Sequence, residues 1–263
     1  MDCKRALVDA DGDVAAAERR LKEMGLSAAA KRSGRATTEG RVFSTANGSA
    51  AILELSSETD FVARNAQFVE LGERLVAEVA REHLEAPTEH MQQLITEAIG
   101  RIKENIALRR FRSVAMTEGD RVAHYLHGEG NIGVLVKLHA ADPAKAQDAR
   151  VGQVAFDLAL HVAAFAPPFL ASDRVAADYL AEQEAIFRVQ AEALEKPPKV
   201  VDGIVKGKLR KHLQEVCLLE QPFVKEQKLS VKQVVAELGK DLGTEVSVVD
   251  YVYYKVGEGA AAG

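Results

Sequence analysis

The stretch Gly40–Asp60, GRVFSTANGSAAILELSSETD, decides how this chain is to be read. Val42 and Ser44 alternate as on a half-buried strand, Asn47-Gly48 offers a turn, and Ala51 to Leu55 returns as a second, apolar strand. Asn-Gly is a strong hairpin signal because both central turn positions want φ > 0. The spacing therefore predicts a β-hairpin over 41–56. A helix follows, with Phe68, Leu71, Leu75 and Val79 on one face. Pro87-Thr88 opens another, carrying Met91, Leu94, Ile95, Ala98, Ile99 and Ile102. Leu108 to Met116 is strand-like and ends in the turn-prone Thr117-Glu118-Gly119-Asp120.

Asp120–Asp142, DRVAHYLHGEGNIGVLVKLHAAD, echoes the opening stretch: Arg-Val, a strand, a glycine turn, an apolar strand, then a polar lead into a helix. That helix carries Val151, Val154, Leu158, Val162 and Phe165. The echo reads as a duplicated unit, giving two related α+β subdomains, although two independent hairpin-helix units would look the same. From Asp173 to Val216 the pattern changes. Val175, Tyr179, Ile186, Val189 and Ala193 form one narrow stripe, Pro197-Pro198 breaks it, and Val201, Val205, Leu209, Leu213 and Val216 form a second. Two such helices joined by a short turn predict an antiparallel coiled-coil hairpin. It interrupts the second subdomain, because a helix capped by Ser230 and the strand Val246 to Val256 follow it.

Upstream, residues 2–24 read as two short helices. Asp11-Gly12 separates them, Asp13 caps the second, Val14, Ala17, Leu21 and Met24 share a face, and Gly25 supplies a stop. Two helices bury too little to fold alone, so a partner element is missing or comes from elsewhere. Ser27 to Gly40 has the composition of a linker.

Composition narrows the function classes. With 47% hydrophobic and 28% charged residues the chain is an ordinary globular one, and a net charge of -5 argues against a phosphate-neutralising surface. No apolar run approaches the roughly 20 residues of a membrane span, and MDCKRAL lacks a signal-peptide core. Cys3 and Cys217 are far apart and suit a reducing cytoplasm. The chain has no GxxxxGK[ST], GxSxG or HExxH, and no GxGxxG between strand and helix. His124 and His127 lack a third neighbouring ligand beyond Glu129 and read as hairpin-surface residues. Thr59-Asp60-Phe61-Val62 sits between strand and helix; Asp60 could simply cap that helix and Phe61 simply enter the core.

The wording of that segment points further. SSETDFVARNAQF (56–68) resembles the TDFV segment of the elongation factor Ts family, whose usual form is close to QTDFVAKNxxF. MDCKRALVDADGDVAAAERRLKEMG (1–25) resembles the family's amino-terminal module, and ENIALRR (104–110) its GENIxIRR segment. HGEGNIGVLV (127–136) resembles HGxxRIGVLV, and HVAAFAPPFL (161–170) resembles HVAAxxPxFL. QPFV (221–224) and VGEG (256–259) have counterparts too, so the resemblance covers nearly the whole chain in order.

The resemblance implies a non-enzymatic guanine nucleotide exchange factor for the translational GTPase elongation factor Tu, cytoplasmic and without a cofactor. It implies no direct nucleic-acid or membrane partner, and admits a homodimer or a 2:2 complex. Phe61 would be an aromatic wedge with Asp60 as its polar partner, flanked by Thr59 and Val62. Further contacts would fall on Ile102 with Lys103, where the family has Ile-Gly, on His127, and on Val224 followed by Lys225, where the family has a hydrophobic residue. For Ile102 and Val224, core packing is the competing reading. Family members begin further upstream, with a helix and an RxxTGAGxxDCKxAL segment. The implied UBA-like module thus lacks its first helix here, either because Met1 is internal to a longer chain or because docking of this module is weakened. Leu7, Val14, Ala17 and Leu21 would then face a missing partner.

The expected organisation is a helical module at 1–26, a linker at 27–40, and one core subdomain at 41–120. The second core subdomain spans 121–169 and 217–259, with the coiled-coil hairpin inserted at 170–216. An interaction module without effect on nucleotide would bury Phe61, an exchange factor would expose it on a rim, and a small-molecule enzyme would need a pocket of convergent titratable groups.

Overall fold

The computed structural model describes residues 2–258. Met1 and Gly259, which close the expected terminal motifs, lie outside the described residues, as does the side chain of Cys3. The described residues divide into two compact units: 2–116, 124–135 and 252–258 form unit 1, and 117–123 and 136–251 form unit 2.

Unit 1 opens with α1 (Asp2–Asp9) and α2 (Val14–Arg32). Asp13 caps α2 as expected, its carboxylate accepting the Ala16 N–H at 3.1 Å. Gly25 does not stop the helix. A helix-ending glycine takes the left-handed conformation, and Gly25 is not among the positive-φ residues. α2 packs on α5 beside it, where a Cβ built on Gly100 would stand 3.5 Å from the Gly25 Cα, in ordinary contact, and one built on Gly25 would meet no atom within 4 Å. The helix then runs on through good helix formers to Arg32, so the first part of the expected linker is helical and buries Ala29 in the core.

The hairpin consists of β1 (Glu39–Asn47) and β2 (Ser49–Ser57), antiparallel with Phe43 opposite Leu53. Its reversal is centred on Gly48, with Asn47 opposite Ser49. Only Gly48 has positive φ, at 75°, so the expected two-residue Asn-Gly turn is replaced by one with glycine alone at its apex. After the single turn α3 (Asp60–Ala63) come α4 (Ala66–Glu82) and α5 (Glu89–Ile102). The strand β3 (Ile106–Val114) then pairs antiparallel with β2, making the order β1-β2-β3. Phe68, Leu71, Leu75 and Val79 of α4 and Met91, Ile95 and Ile99 of α5 meet Phe43, Leu53 and Leu55 in one core. Gly72 of α4 lets the Phe43 ring lie directly against the helix.

The strands β4 (Asp120–His127) and β5 (Ile132–Ala140) join β8 in a second three-stranded sheet of order β4-β5-β8, with the hairpin's return strand central, as in the first. In unit 2, the short α6 (Pro143–Ala146) leads into α7 (Ala149–Phe165), which buries Val151, Leu158 and Val162. Phe165, expected on that face, is exposed at the helix end.

The helices α8 (Ala177–Glu192) and α9 (Pro198–Val216) pack together. Their seam differs from the expected stripe. Phe187 and Ala191 meet Val201, Ile204 and Val205, while Ile186 and Val189 are exposed. Phe187 carries the larger apolar surface, and one residue is about 100° of helix rotation, so placing it at the seam turns Ile186 toward water. Polar links flank the seam: Tyr179 Oη to His212 Nε2 at 2.8 Å, and Arg188 to Asp202 at 2.8 Å. The strands β6 (Pro222–Phe223) and β7 (Glu226–Ser230) form a small antiparallel ribbon. The helix α10 (Val231–Leu242) carries a full capping box from Ser230 and Gln233 and is closed by Gly243 at φ 69°. The last strand, β8 (Val246–Lys255), returns to the second sheet.

Candidate partner-binding site

Two successive helix caps build the corner at the end of β2. Thr59, not Asp60, caps α3: its backbone is extended and its Oγ1 accepts the Val62 N–H at 3.4 Å. The helix lasts one turn because Asn65 restarts the chain as the cap of α4, its Oδ1 accepting the Gln67 N–H at 2.8 Å. Within that turn Val62 and Ala63 face the core, leaving Phe61 to project outward at 80% exposure. Asp60, as the first helical residue, sits 3.7 Å from Arg64. A phenyl ring held out on an anchored turn contradicts the reading in which Phe61 enters the core.

Carboxylates lock the corner from both sides. Glu104 accepts the Thr59 N–H at 3.1 Å and the Thr59 hydroxyl at 2.9 Å. Glu58 accepts the Asn105 N–H at 2.6 Å, and Asn105 in turn donates to the Arg35 carbonyl at 2.7 Å. The segment that supplies Glu104 and Asn105 begins at Lys103, where α5 ends in the left-handed conformation at φ 71°. Glycine enters that region without steric cost and lysine does not. Lys103 still closes the helix through its N–H to the Ile99 carbonyl at 2.9 Å, and its own carbonyl accepts from Arg32 at 3.0 Å. Ile102 packs partly buried against the core.

The loop Gly128–Gly130 completes the rim, with Gly128, Glu129 and Gly130 all at positive φ (56°, 59° and 94°). A Cβ on Gly130 would stand 2.7 Å from the Val42 carbonyl, so only glycine lets the loop approach β1. Glu129 lies 3.8 Å from Arg64, on the loop side of the same guanidinium that faces Asp60. Both pairs are exposed and contribute little stability, at most about 1 kcal/mol each. Asp60, Ala63, Arg64, Gly128, Glu129 and Arg41 are among the residues lining a polar cavity of about 340 Å³. His127, exposed just before Gly128, pairs through Nδ1 with Tyr125 Oη at 2.9 Å. His124 instead meets Ser44 Oγ at 3.0 Å, and burial lowers its pKa against the opposing effect of the Ser44 backbone. No group of three His, Cys, Asp or Glu that could hold a metal ion occurs among the described residues.

In unit 1 the structure thus gathers Thr59–Val62, the segment after Ile102-Lys103, and the loop after His127. Nothing in the sequence marks Glu58, Glu104 or Arg64 for this site, and Glu129 stands out there only as a poor complement to His124 and His127. ENIALRR contains Glu104, but nothing local to that motif says that it reaches Thr59.

Unit 2 carries the other expected contact. Val224 lies at the bend between β6 and β7, 36% exposed, with its N–H donated to His161 Nδ1 at 3.2 Å. Lys225 forms an ion pair with Asp157 at 2.6 Å. Core packing therefore accounts for Phe223, which is 5% exposed, but not for Val224.

A family model described as "Elongation factor TS" matches residues 58–258. The elongation factor Ts of Borrelia hermsii is 43% identical over 258 residues, covering 97% of this chain and 93% of the relative. That of Borreliella burgdorferi strain B31 is also 43% identical, covering 97% of this chain and 92% of the relative. The Treponema denticola elongation factor Ts is 39% identical over 260 residues, covering 98% of this chain and 93% of the relative.

Proposed function

Because the chain belongs to the elongation factor Ts family, we propose that it accelerates GDP release from elongation factor Tu by inserting Phe61 beside the phosphate and Mg²⁺ site of the GTPase. A translational GTPase holds its nucleotide with backbone N–H groups, a lysine and Mg²⁺. A protein that binds the nucleotide-free arrangement better must, by linkage, weaken GDP binding by the same factor. Lowering the release barrier by about 5 kcal/mol corresponds to nearly four powers of ten in rate. No bond is made or broken, and no titratable nucleophile is needed.

The observation that carries this reading is the exposure of Phe61 on a turn braced from both ends. An exposed phenyl ring forgoes burial in the free protein and gains about 2 kcal/mol of transfer free energy when it is buried against a partner. Asp60 supplies an acceptor beside it. The Ile102-Lys103 segment and His127 extend the contact in unit 1, and Val224 with Lys225 forms a second one.

The test is release of a fluorescent GDP from elongation factor Tu, with the native chain and with Phe61→Ala. The native chain should raise the rate steeply, and the variant should lose most of that effect while melting at the native temperature. A variant that exchanges at the native rate would sink the wedge role.

A further inference from the structure

His161 on α7 is fully enclosed, yet it makes two polar contacts of opposite sense. Gln221 decides which is which. Its Nε2 donates to the Glu215 carbonyl at 2.7 Å, so the atom left facing His161 Nε2, at 2.9 Å, is the Gln221 Oε1. An amide oxygen only accepts, so His161 carries its proton on Nε2 and presents a bare lone pair at Nδ1. That lone pair accepts the Val224 N–H. Burial also favours the neutral ring, against the opposing effect of the Gln221 bond. The rings of Phe165 and Phe223 flank the imidazole with centroids at 4.7 Å and 6.1 Å. Four residues earlier on α7, Asp157 holds Lys225.

We propose that His161 is a positioning residue for docking: as the Nε2–H tautomer set by Gln221, it fixes the Val224–Lys225 bend through Nδ1 and so presents Val224 to the GTPase. The inference rests on the reading of Val224 as a second GTPase contact. It adds a reason for a buried polar ring under that contact. An aliphatic residue would fill the space, but it would leave the Val224 N–H free to turn and Gln221 Oε1 without its donor. A backbone N–H tied to an enclosed ring leaves the bend little freedom to lose on binding, which raises affinity.

Two near-isosteric replacements separate positioning from mere filling. His161→Asn puts an amide oxygen close to the position of Nδ1 and keeps an acceptor for Val224. His161→Gln puts an amide nitrogen close to Nε2, keeping the donor for Gln221 and losing that acceptor. Both are to be measured as full chains, by the dependence of GDP release on exchange-factor concentration, beside Val224→Ala and Phe61→Ala.

The expected result is an about five- to tenfold higher half-saturating concentration for His161→Gln, with the effect falling there rather than on the maximal rate. His161→Asn should rescue it to within about twofold. Equal shifts for the two variants, or a larger one for Asn, would overturn the proposal while leaving the Val224 contact standing. An unchanged half-saturating concentration for Val224→Ala would overturn the contact and the proposal together, while the Phe61 result reports separately on the wedge. Long-range ¹H–¹⁵N spectra of the native chain test the tautomer without mutation: His161 protonated on Nε2 supports the inference, and protonation on Nδ1 refutes it.

Discussion

Removing the Glu104 carboxylate should impair exchange without replacing any residue proposed to meet the partner. In Glu104→Ala, Thr59 loses two charge-assisted hydrogen bonds, one from its N–H at 3.1 Å and one from its hydroxyl at 2.9 Å, while Thr59 itself remains the cap of α3. Hydrogen bonds to a charged group contribute about 1.5–3 kcal/mol each in net terms. The site is only partly buried, so the low end applies, and the local closing free energy of α3 should fall by about 2–3 kcal/mol. Against that stands the entropy of holding four residues in one conformation, about 1–2 kcal/mol per residue. The β1-β2-β3 sheet with α4 and α5 keeps its own core, so global stability should change less than local order.

If Phe61 engages only from a formed turn, apparent exchange activity scales with the fraction of chains in which α3 is closed. The expected result is a loss of about tenfold in kcat/KM for GDP release, with faster amide exchange confined to residues 59–64. Glu104→Gln, which keeps an acceptor, should fall between. Native exchange activity alongside accelerated amide exchange would refute the requirement for a preformed turn. Unchanged amide exchange would refute the clamp itself.

Two further predictions concern the scaffold. Gly72→Ala places a methyl group inside the Phe43 ring, and overpacking of this kind should cost about 1–3 kcal/mol, read as a lower urea midpoint at unchanged slope. Adding Phe43→Leu should recover part of the loss; an additive further loss would contradict the steric explanation. In unit 2, burial raises the Asp120 pKa, but bonds from Lys137, the Thr117 N–H, His139 and the Thr117 hydroxyl outweigh it and hold the carboxyl at about 2. An unfolded Asp titrates near ~3.9. The folded pKa is the lower one, so the group stabilises the fold above about pH 4 and loses that contribution as pH falls toward about 2. Unfolding midpoints should therefore drop more steeply over that window in the native chain than in Asp120→Asn, and parallel curves would refute this.

Legibility varied with the range of the interactions. The hairpin, the apolar faces of α4 and α5 and the caps at Asp13 and Ser230 could be read directly, because each is written in residues a few positions apart. TDFV was legible as a family segment, but its own residues left open whether Phe61 was core or rim. Asp60 has the residue type to cap the helix that follows, whereas Thr59 caps the added turn α3 and Asn65 caps α4. Gly25 has the residue type of a stop, but its φ is not positive and the helix runs through it to Arg32.

The sequence by itself determined the family, the mixture of helices with small sheets, and the order of most elements. Periodicity, caps and motif order are properties of neighbouring residues, and they survive without knowledge of the fold. Only the tertiary structure decided which carboxylate holds which turn, which face of α8 meets α9, and that Phe61 points to solvent. Glu104 reaches back across 45 residues to Thr59, and His161 reaches across 63 to Val224. Such pairings are selected by competition for burial and for hydrogen-bond partners throughout a folded unit, and no local spacing records the outcome.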